Sequence, residues 1–318
     1  MKVSIIMACF NREDYIKDCL DSILSQTFMD FELIIIDDNS TDNTVQIIEN
    51  YNDNRIILIK NDVRKGLTYN LNYAITIAKG EYIARMDDDD ICEKNRLITE
   101  VKYLDSHKKV DVVCSQALSF GSKSGLSSYI INNNNFIKSF LLFRNVIIHS
   151  SVMFRNKFKY NEHFVKAQDF ELWSRLVISE QCNFAYINKP LLRYRWHSNQ
   201  TNVTVQNTFG VEILRRNYNE LIKNYNEKFF KIHCSLINYS EFKVSTEDII
   251  AFYSFYCDIF KYKYKYIKII LLFELYNFCK KKGIKYPKGM FIKLILYMFS
   301  IRGIRFLYSI LRYKVSKK

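Results

Sequence analysis

The sequence predicts an α/β fold, a mostly parallel sheet flanked by helices, with a helical extension at its C-terminal end. Three observations carry this. Apolar, β-rich runs recur through residues 1–115, amphipathic segments separate them, and from about residue 205 the β pattern gives way to Lys, Tyr, Phe and Ile without alternation. Strand and helix in strict turn describe βαβ units, whose successive strands lie parallel because each connection crosses over through a helix.

The runs at 3–8, 31–36, 55–60, 81–86 and 110–114 read as strands. Between the first two, residues 12–25 put Ile16, Leu20, Ile23 and Leu24 on one helical face, with Asn11 as candidate N-cap. Residues 41–51 and 67–78 show the same apolar spacing, and 93–106 forms the next helix. Beyond 115 the alternation stops, and 119–128 with 132–135 reads as exposed loop. Residues 147–154 then form a strand, 169–179 a helix burying Phe170, Leu172, Trp173, Leu176 and Val177, and 183–187 and 191–196 two short strands around Pro190. Helices follow to the end.

A chain of 318 residues with 48% apolar content can bury a full core. Its formal charge of +14 suits an anionic partner, whether nucleotide phosphates, nucleic acid or the anionic face of a membrane. The eight cysteines have no CxxC or other zinc-like spacing, which points to reduced structural thiols. The opening residues lack the apolar core of a secretory signal, so an intracellular, cytoplasmic protein is expected. No apolar run reaches the roughly 18 residues of a membrane span, because Glu274 and Lys293 interrupt the two best stretches.

Against this basic background stand four consecutive aspartates, Asp87-Asp88-Asp89-Asp90, directly after the run at 81–86. Adjacent carboxylates repel, and a packed domain tolerates them most easily beside a divalent cation. A solvated acidic turn is the competing reading. The strand at 3–8 ends at Ala8-Cys9-Phe10-Asn11-Arg12 and the one at 31–36 at Asp37-Asp38-Asn39-Ser40. Three polar strand ends on one edge of a parallel sheet form a binding crevice. Taken singly, the second is equally a turn leading into a helix.

The segments Val3-Ser4-Ile5-Ile6-Met7-Ala8, Phe10-Asn11-Arg12, Phe31 through Asp42 and Gly80 through Asp87 resemble the family 2 glycosyltransferases of the GT-A fold. The resemblance continues through His149-Ser150-Ser151-Val152-Met153-Phe154-Arg155, Ala167-Gln168-Asp169-Phe170-Glu171-Leu172-Trp173 and Tyr194-Arg195-Trp196-His197, and does not extend past about residue 205. It implies a catalytic domain over 1–204, with a nucleotide-binding half at 1–115 and an acceptor half at 116–204, and a separate helical region over 205–318.

The family's chemistry gives each motif a role. Breaking the bond between an anomeric carbon and a diphosphate needs positive charge to meet the developing phosphate charge. Asp87 and Asp89 match the DxD motif, which implies Asp89 as a ligand of Mn²⁺ or Mg²⁺ and Asp87 as a partner of the ribose or of metal-bound water. Asp88 stands where many relatives have a small residue, and is counted with the nucleotide side. Asp169 matches the carboxylate that takes the acceptor's proton in an inverting displacement; the residue before it, often acidic in the family, is Gln168. A helix cap is the alternative role for Asp169. Ala8, Phe10 and Arg12 match the segment beside base and ribose, and Asp38 the acceptor for a base N–H, which implies uracil or thymine. Leu71 stands where some relatives have an arginine, leaving Lys65, Arg64 and Arg85 for the diphosphate. His197 resembles a histidine near metal and diphosphate, with a surface loop histidine as its alternative, and His149 reads as structural.

The expected partners are a nucleotide-sugar donor, in particular a UDP-sugar, and a glycan or lipid-linked acceptor of surface polysaccharide or lipopolysaccharide assembly. A nucleotidyltransferase would carry a Gly-rich loop after its first strand, which the sequence lacks. A basic binding module built on Lys261-Tyr262-Lys263-Tyr264-Lys265-Tyr266 and the tail would suit single-stranded nucleic acid or a membrane, but leaves the aspartates unexplained. Nucleic acid is therefore not expected. In the tail, Arg302, Arg305, Ser309 and Arg312 share one helical face opposite Ile304, Phe306, Leu307, Ile310 and Leu311, which suits either peripheral contact with an anionic membrane or packing on the protein itself.

Overall fold

The computed structural model describes residues 1–126, 134–179, 182–197, 203–221, 226–236, 243–260, 267–284 and 286–290. The chain opens with β1 (Val3–Cys9), α1 (Ile16–Leu24), β2 (Phe31–Asp37), α2 (Thr44–Glu49), β3 (Ile56–Lys60), α3 (Leu67–Ile77) and β4 (Tyr82–Arg85). Strands β3, β2, β1 and β4 lie side by side in that order, all parallel. The period of two in β1 and β2 sorts their side chains to opposite faces. Ile5, Met7, Leu33 and Ile35 join α1 on one side, and Ile6, Ile34 and Ile36 join α3 on the other. Both faces are covered, which is why these runs are apolar throughout.

The second half is mixed. It comprises β5 (Ile91–Cys92), α4 (Arg96–Ser106), β6 (Val112–Gly121), β7 (Gly125–Leu126), α5 (Asn134–Leu141), a 3₁₀ turn at His149–Ser151, β8 (Val152–Arg155), α6 (Gln168–Ile178) and β9 (Phe184–Trp196). Beyond β4 the sheet continues through β8, β6, β9 and β5, with β8 antiparallel to both neighbours and β6 parallel to β9. The described remainder is helical: α7 (Val203–Leu221), α8 (Glu227–Leu236), α9 (Thr246–Phe260) and α10 (Ile267–Lys282). Ile213, Tyr218, Phe230, Phe252 and Leu271 of these helices share one apolar core with Phe140, Phe170 and Trp173. No helix among the described residues is long and apolar enough to cross a membrane.

Several sequence expectations are corrected. Residues 183–187 and 191–196 form one strand, not two; Pro190 lies at a register slip opposite Ser115 and Gln116, where a missing N–H is tolerated. Residues 119–126 contain strand pairing between β6 and β7, and α5 begins at Asn134 inside the expected loop. The strand expected over 147–154 begins only at Val152, after the 3₁₀ turn. Asn11 does not cap α1, which starts at Ile16 behind Tyr15; its side chain accepts from Thr41 N–H at 2.9 Å instead. Residues 127–128 and 132–133, the Lys261–Tyr266 run and the amphipathic tail lie outside the described residues.

Candidate active site

Because β1, β2 and β4 are parallel, with Cys9 opposite Asp37 and Ile6 opposite Arg85, their carboxyl ends open on one edge. Three non-glycine residues there and nearby adopt left-handed backbone: Asn11 after β1 (φ 51°), Asn39 after β2 (φ 65°) and Ala167 before α6 (φ 54°). Asparagine tolerates that region, but alanine does not gain from it, and such strain concentrates at functional sites.

The aspartate run is not a solvated turn. Asp90 is fully buried and Asp88 is 7% exposed, while Asp87 and Asp89 are partly exposed. Each carboxylate has its own partner. Asp87 accepts from the fully buried Arg85 guanidinium and from the Ser150 hydroxyl. Asp88 pairs with Arg12 Nε at 3.1 Å, Asp89 with His197 Nε2 at 2.9 Å, and Asp90 accepts from Arg195 N–H at 2.9 Å. The other oxygen of Asp90 is buried without a hydrogen-bond partner.

These settings drive the four carboxyls apart. Burial pushes Asp87 up, but the Arg85 charge with the Ser150 hydroxyl outweighs it and holds the group below the usual carboxylate range. Burial, with the charges of Asp89 and Asp87, pushes Asp88 up to about 7 against the pull of Arg12. Asp89 is raised by burial and by Asp87, and Asp90 is raised well above its ordinary value by the same two causes. The surroundings thus favour ionisation of Asp87 and disfavour it at the other three.

Across the crevice, Asp169 sits in the first turn of α6 and accepts from Asn145 Nδ2 at 2.7 Å. Ala167, not Asp169, occupies the cap position of that helix, and no side chain caps it. Burial raises the Asp169 carboxyl, and Asp87 is near enough for its charge to add to the rise, while the N–H of Phe170 and the Asn145 amide pull it down. The same electrostatics links Tyr194 to Asp87, Asp89, Asp90 and Asp169. Asp169 and the aspartate run are thus within electrostatic reach of one another.

After β2, Asp38 is buried and accepts from the N–H of Lys65 (2.8 Å) and Gly66 (3.1 Å) and from Asn61 Nδ2 (3.1 Å). Burial favours its neutral form, and these donors together overcome that and lower it. The Arg64 guanidinium covers the Phe10 ring at 3.7 Å, and the Lys65 ammonium lies 5.1 Å from the Tyr69 ring. Ala8 is partly buried at the end of β1. Arg85 lies beneath the aspartate run, spent on Asp87 and the Met86 carbonyl, so it does not line the crevice. His197 is not a surface histidine: its side chain is 8% exposed and lies against the Tyr15 ring at 4.7 Å. His149 bonds the Tyr160 hydroxyl at 2.8 Å, and burial with the Arg85 charge pushes it down to about 3.

Sequence reasoning missed three contributors. Asn145 has no motif to flag it, and Ser150 and Arg195 lie inside motifs that give them no role of their own; Ser150 bonds Asp87, and Arg195 ties the run to α1 by bonding the Asp89 carbonyl at 2.8 Å and Asp18 at 3.0 Å.

Carboxylates gathered at the carboxyl edge of a parallel sheet suit an enzyme that binds and transfers a group, and the class is a glycosyltransferase. Residues 4–164 match the family model "Glycosyl transferase family 2", and the chain belongs to that family. Among its relatives, the uncharacterized glycosyltransferase MJ1057 of Methanocaldococcus jannaschii is 33% identical over 214 residues, 61% of this chain and 70% of that one. The Escherichia coli UDP-Glc:alpha-D-GlcNAc-diphosphoundecaprenol beta-1,3-glucosyltransferase WfaP is 43% identical over 106 residues, 33% of this chain and 42% of its own length. The fold is shared with S. aureus TarS 1-349, solved with UDP-GlcNAc, at TM-score 0.59 and 18% identity over 100% of this chain and 90% of that one.

Proposed function

We propose that the enzyme transfers a sugar from a UDP-sugar to a hydroxyl of a glycan or lipid-linked acceptor, in one inverting, metal-dependent displacement. The observation that carries this is a cluster of buried and half-buried carboxylates at the carboxyl edge of the sheet together with a separate half-buried carboxylate, Asp169, tied to the same 145–151 segment as Asp87. Family membership supports the reading, and the printed activity of WfaP, a glucosyl transfer from UDP-Glc to a diphosphoundecaprenol-linked sugar, supports the donor and acceptor classes.

Asp169 is proposed to take the proton of the attacking hydroxyl. Its oxygen forms the new bond at the anomeric carbon while the bond to the diphosphate breaks and its electron pair leaves with UDP. Asp38, Phe10, Ala8, Arg12 and Lys65 are proposed to flank the nucleotide, with Asp88 holding Arg12 in place at 3.1 Å. Among the described residues, no set of three or more His, Cys, Asp and Glu side chains is arranged around one point as a metal cage. The donor chemistry nonetheless suits Mn²⁺ or Mg²⁺, since Asp87 and Asp89 offer hard carboxylate oxygens, with Asp87, Asp89 and His197 as proposed ligands. Such ions are commonly held by one or two carboxylates plus substrate phosphates. Bound there, the ion would supply positive charge against that developing on the diphosphate.

The proposed arrangement is a catalytic domain over 1–204 with a helical region over 205–318, working at the cytoplasmic face of the membrane where lipid-linked acceptors are found. Incubating the protein with Mn²⁺ and a panel of UDP-sugars tests the reaction class. Free UDP is the expected product; pyrophosphate release would establish nucleotidyl transfer instead.

A further inference from the structure

The two halves of the site are held by one short piece of chain. Asn145, at its start, gives its amide to Asp169 Oδ2 at 2.7 Å, while its own oxygen accepts from Ile147 N–H at 3.1 Å. That second bond fixes which end of the amide faces Asp169, so the nitrogen must donate. Five residues on, fully buried Ser150 donates to Asp87 Oδ2, on the opposite oxygen from Arg85. Between them the backbone is locked. Ser151 N–H and its hydroxyl both bond the Ile148 carbonyl, at 3.0 and 2.8 Å, and His149 is pinned to Tyr160. Val152 then enters β8, whose partners are β4 and β6.

We propose that residues 145–151 form a positioning strap that sets the spacing and orientation of Asp87 relative to Asp169, with Asn145 and Ser150 as its two positioning residues. The inference rests on the function proposed above and adds what fixes its geometry. A displacement in line needs the attacking oxygen and the leaving diphosphate oxygen on opposite sides of one carbon, and an error of an ångström there is costly. A strap that binds one carboxylate at each end meets that need. It also accounts for a β-rich segment, Ile147 to Ser151, that stays out of the sheet: extended backbone would turn Ser150 and Asn145 away from their carboxylates.

The two ends predict different defects, so both variants are measured in the full chain. Calorimetric titration of UDP with Mn²⁺ should weaken about tenfold for Ser150→Ala, which loses a charge-assisted hydrogen bond, and stay within twofold for Asn145→Ala. UDP release from the best UDP-sugar with Mn²⁺ should fall at least tenfold in kcat for Asn145→Ala with KM nearly unchanged. Asn145→Asp keeps the oxygen that accepts from Ile147 and so preserves the turn at the start of the strap, but replaces the donor to Asp169 by a charge. Its acid limb should move to higher pH, because Asp169 then holds its proton longer; Asp87, Tyr160 and Tyr194 face Asp169 in both proteins and His149 stays neutral, so none of them supplies the shift.

Wild-type kcat and an unmoved acid limb in both Asn145 variants, with Asp169→Asn inactive in the same assay, would overturn the strap while leaving the proposed reaction standing. Unchanged UDP–Mn²⁺ binding in Ser150→Ala would overturn its other end. A wild-type protein that neither binds UDP with Mn²⁺ nor releases UDP from any donor would defeat the reaction and the strap together.

Discussion

Replacing Arg96 by methionine removes a buried cation that ties the site to the scaffold beneath it. Arg96 is 1% exposed, pairs with fully buried Glu100 at 3.3 Å, and donates to the carbonyls of Arg85 at 2.9 Å and Val152 at 3.2 Å. Those carbonyls belong to the last residue of β4, two positions before the aspartates, and to the first residue after the 3₁₀ turn. Breaking one side of a buried ion pair costs about 3–5 kcal/mol. Burial already holds Glu100 above the usual carboxylate range, so the stranded acid can take a proton and the cost should fall at the lower end. The double variant Arg96→Met/Glu100→Leu should regain part of the loss, since apolar replacement of a buried pair is often neutral. The two bare carbonyls, at about 1–3 kcal/mol each, should keep recovery incomplete. Urea unfolding followed by circular dichroism measures all three proteins. An Arg96→Met protein within about 0.5 kcal/mol of wild type, or a double variant as stable as wild type, would refute the reasoning.

Two further outcomes follow from the packing. Gly80→Ala would place a Cβ 2.4 Å from Ser4 N and 2.7 Å from the Val3 carbonyl carbon, so the strand itself must shift, and thermal melts should show a loss of about 1–3 kcal/mol. His233 is fully buried between the Phe143 carbonyl (2.9 Å) and the Tyr218 hydroxyl (3.0 Å), and burial pushes its pKa down to about 4. The unfolded chain takes up that proton first, near its ordinary 6.5, so this part of the stability is complete above about 6.5 and is lost as pH falls from there toward about 4, amounting to a few kcal/mol. Unfolding midpoints that fall no faster in wild type than in His233→Phe across that window would contradict it.

What the sequence disclosed was what depends on neighbours in the chain. The apolar runs of β1 and β2 and the polar ends after them are legible because period and capping are local, and the motif residues fell at that edge once the strands were parallel. What stayed hidden depends on distant partners. Arg96 reaches a carbonyl 56 residues away, Ser150 a carboxylate 63 away and Asn145 one 24 away, and no spacing rule connects them. Pro190 misled because a proline normally ends a central strand, whereas here a register slip absorbs it. Asn11 misled in the opposite way. A good capping residue was taken from the helix by a better partner, the Thr41 N–H of the adjoining loop.

The proposed division of the site into a metal and diphosphate half and a base half is tested most directly by Asp169→Asn. The substitution keeps the shape of a side chain lying 2.7 Å from Asn145 and removes only its charge and basicity. UDP with Mn²⁺ should bind the variant about as tightly as wild type, while UDP release and sugar transfer are abolished. Substantial turnover in the variant would contradict the account, as would loss of UDP–Mn²⁺ binding together with activity.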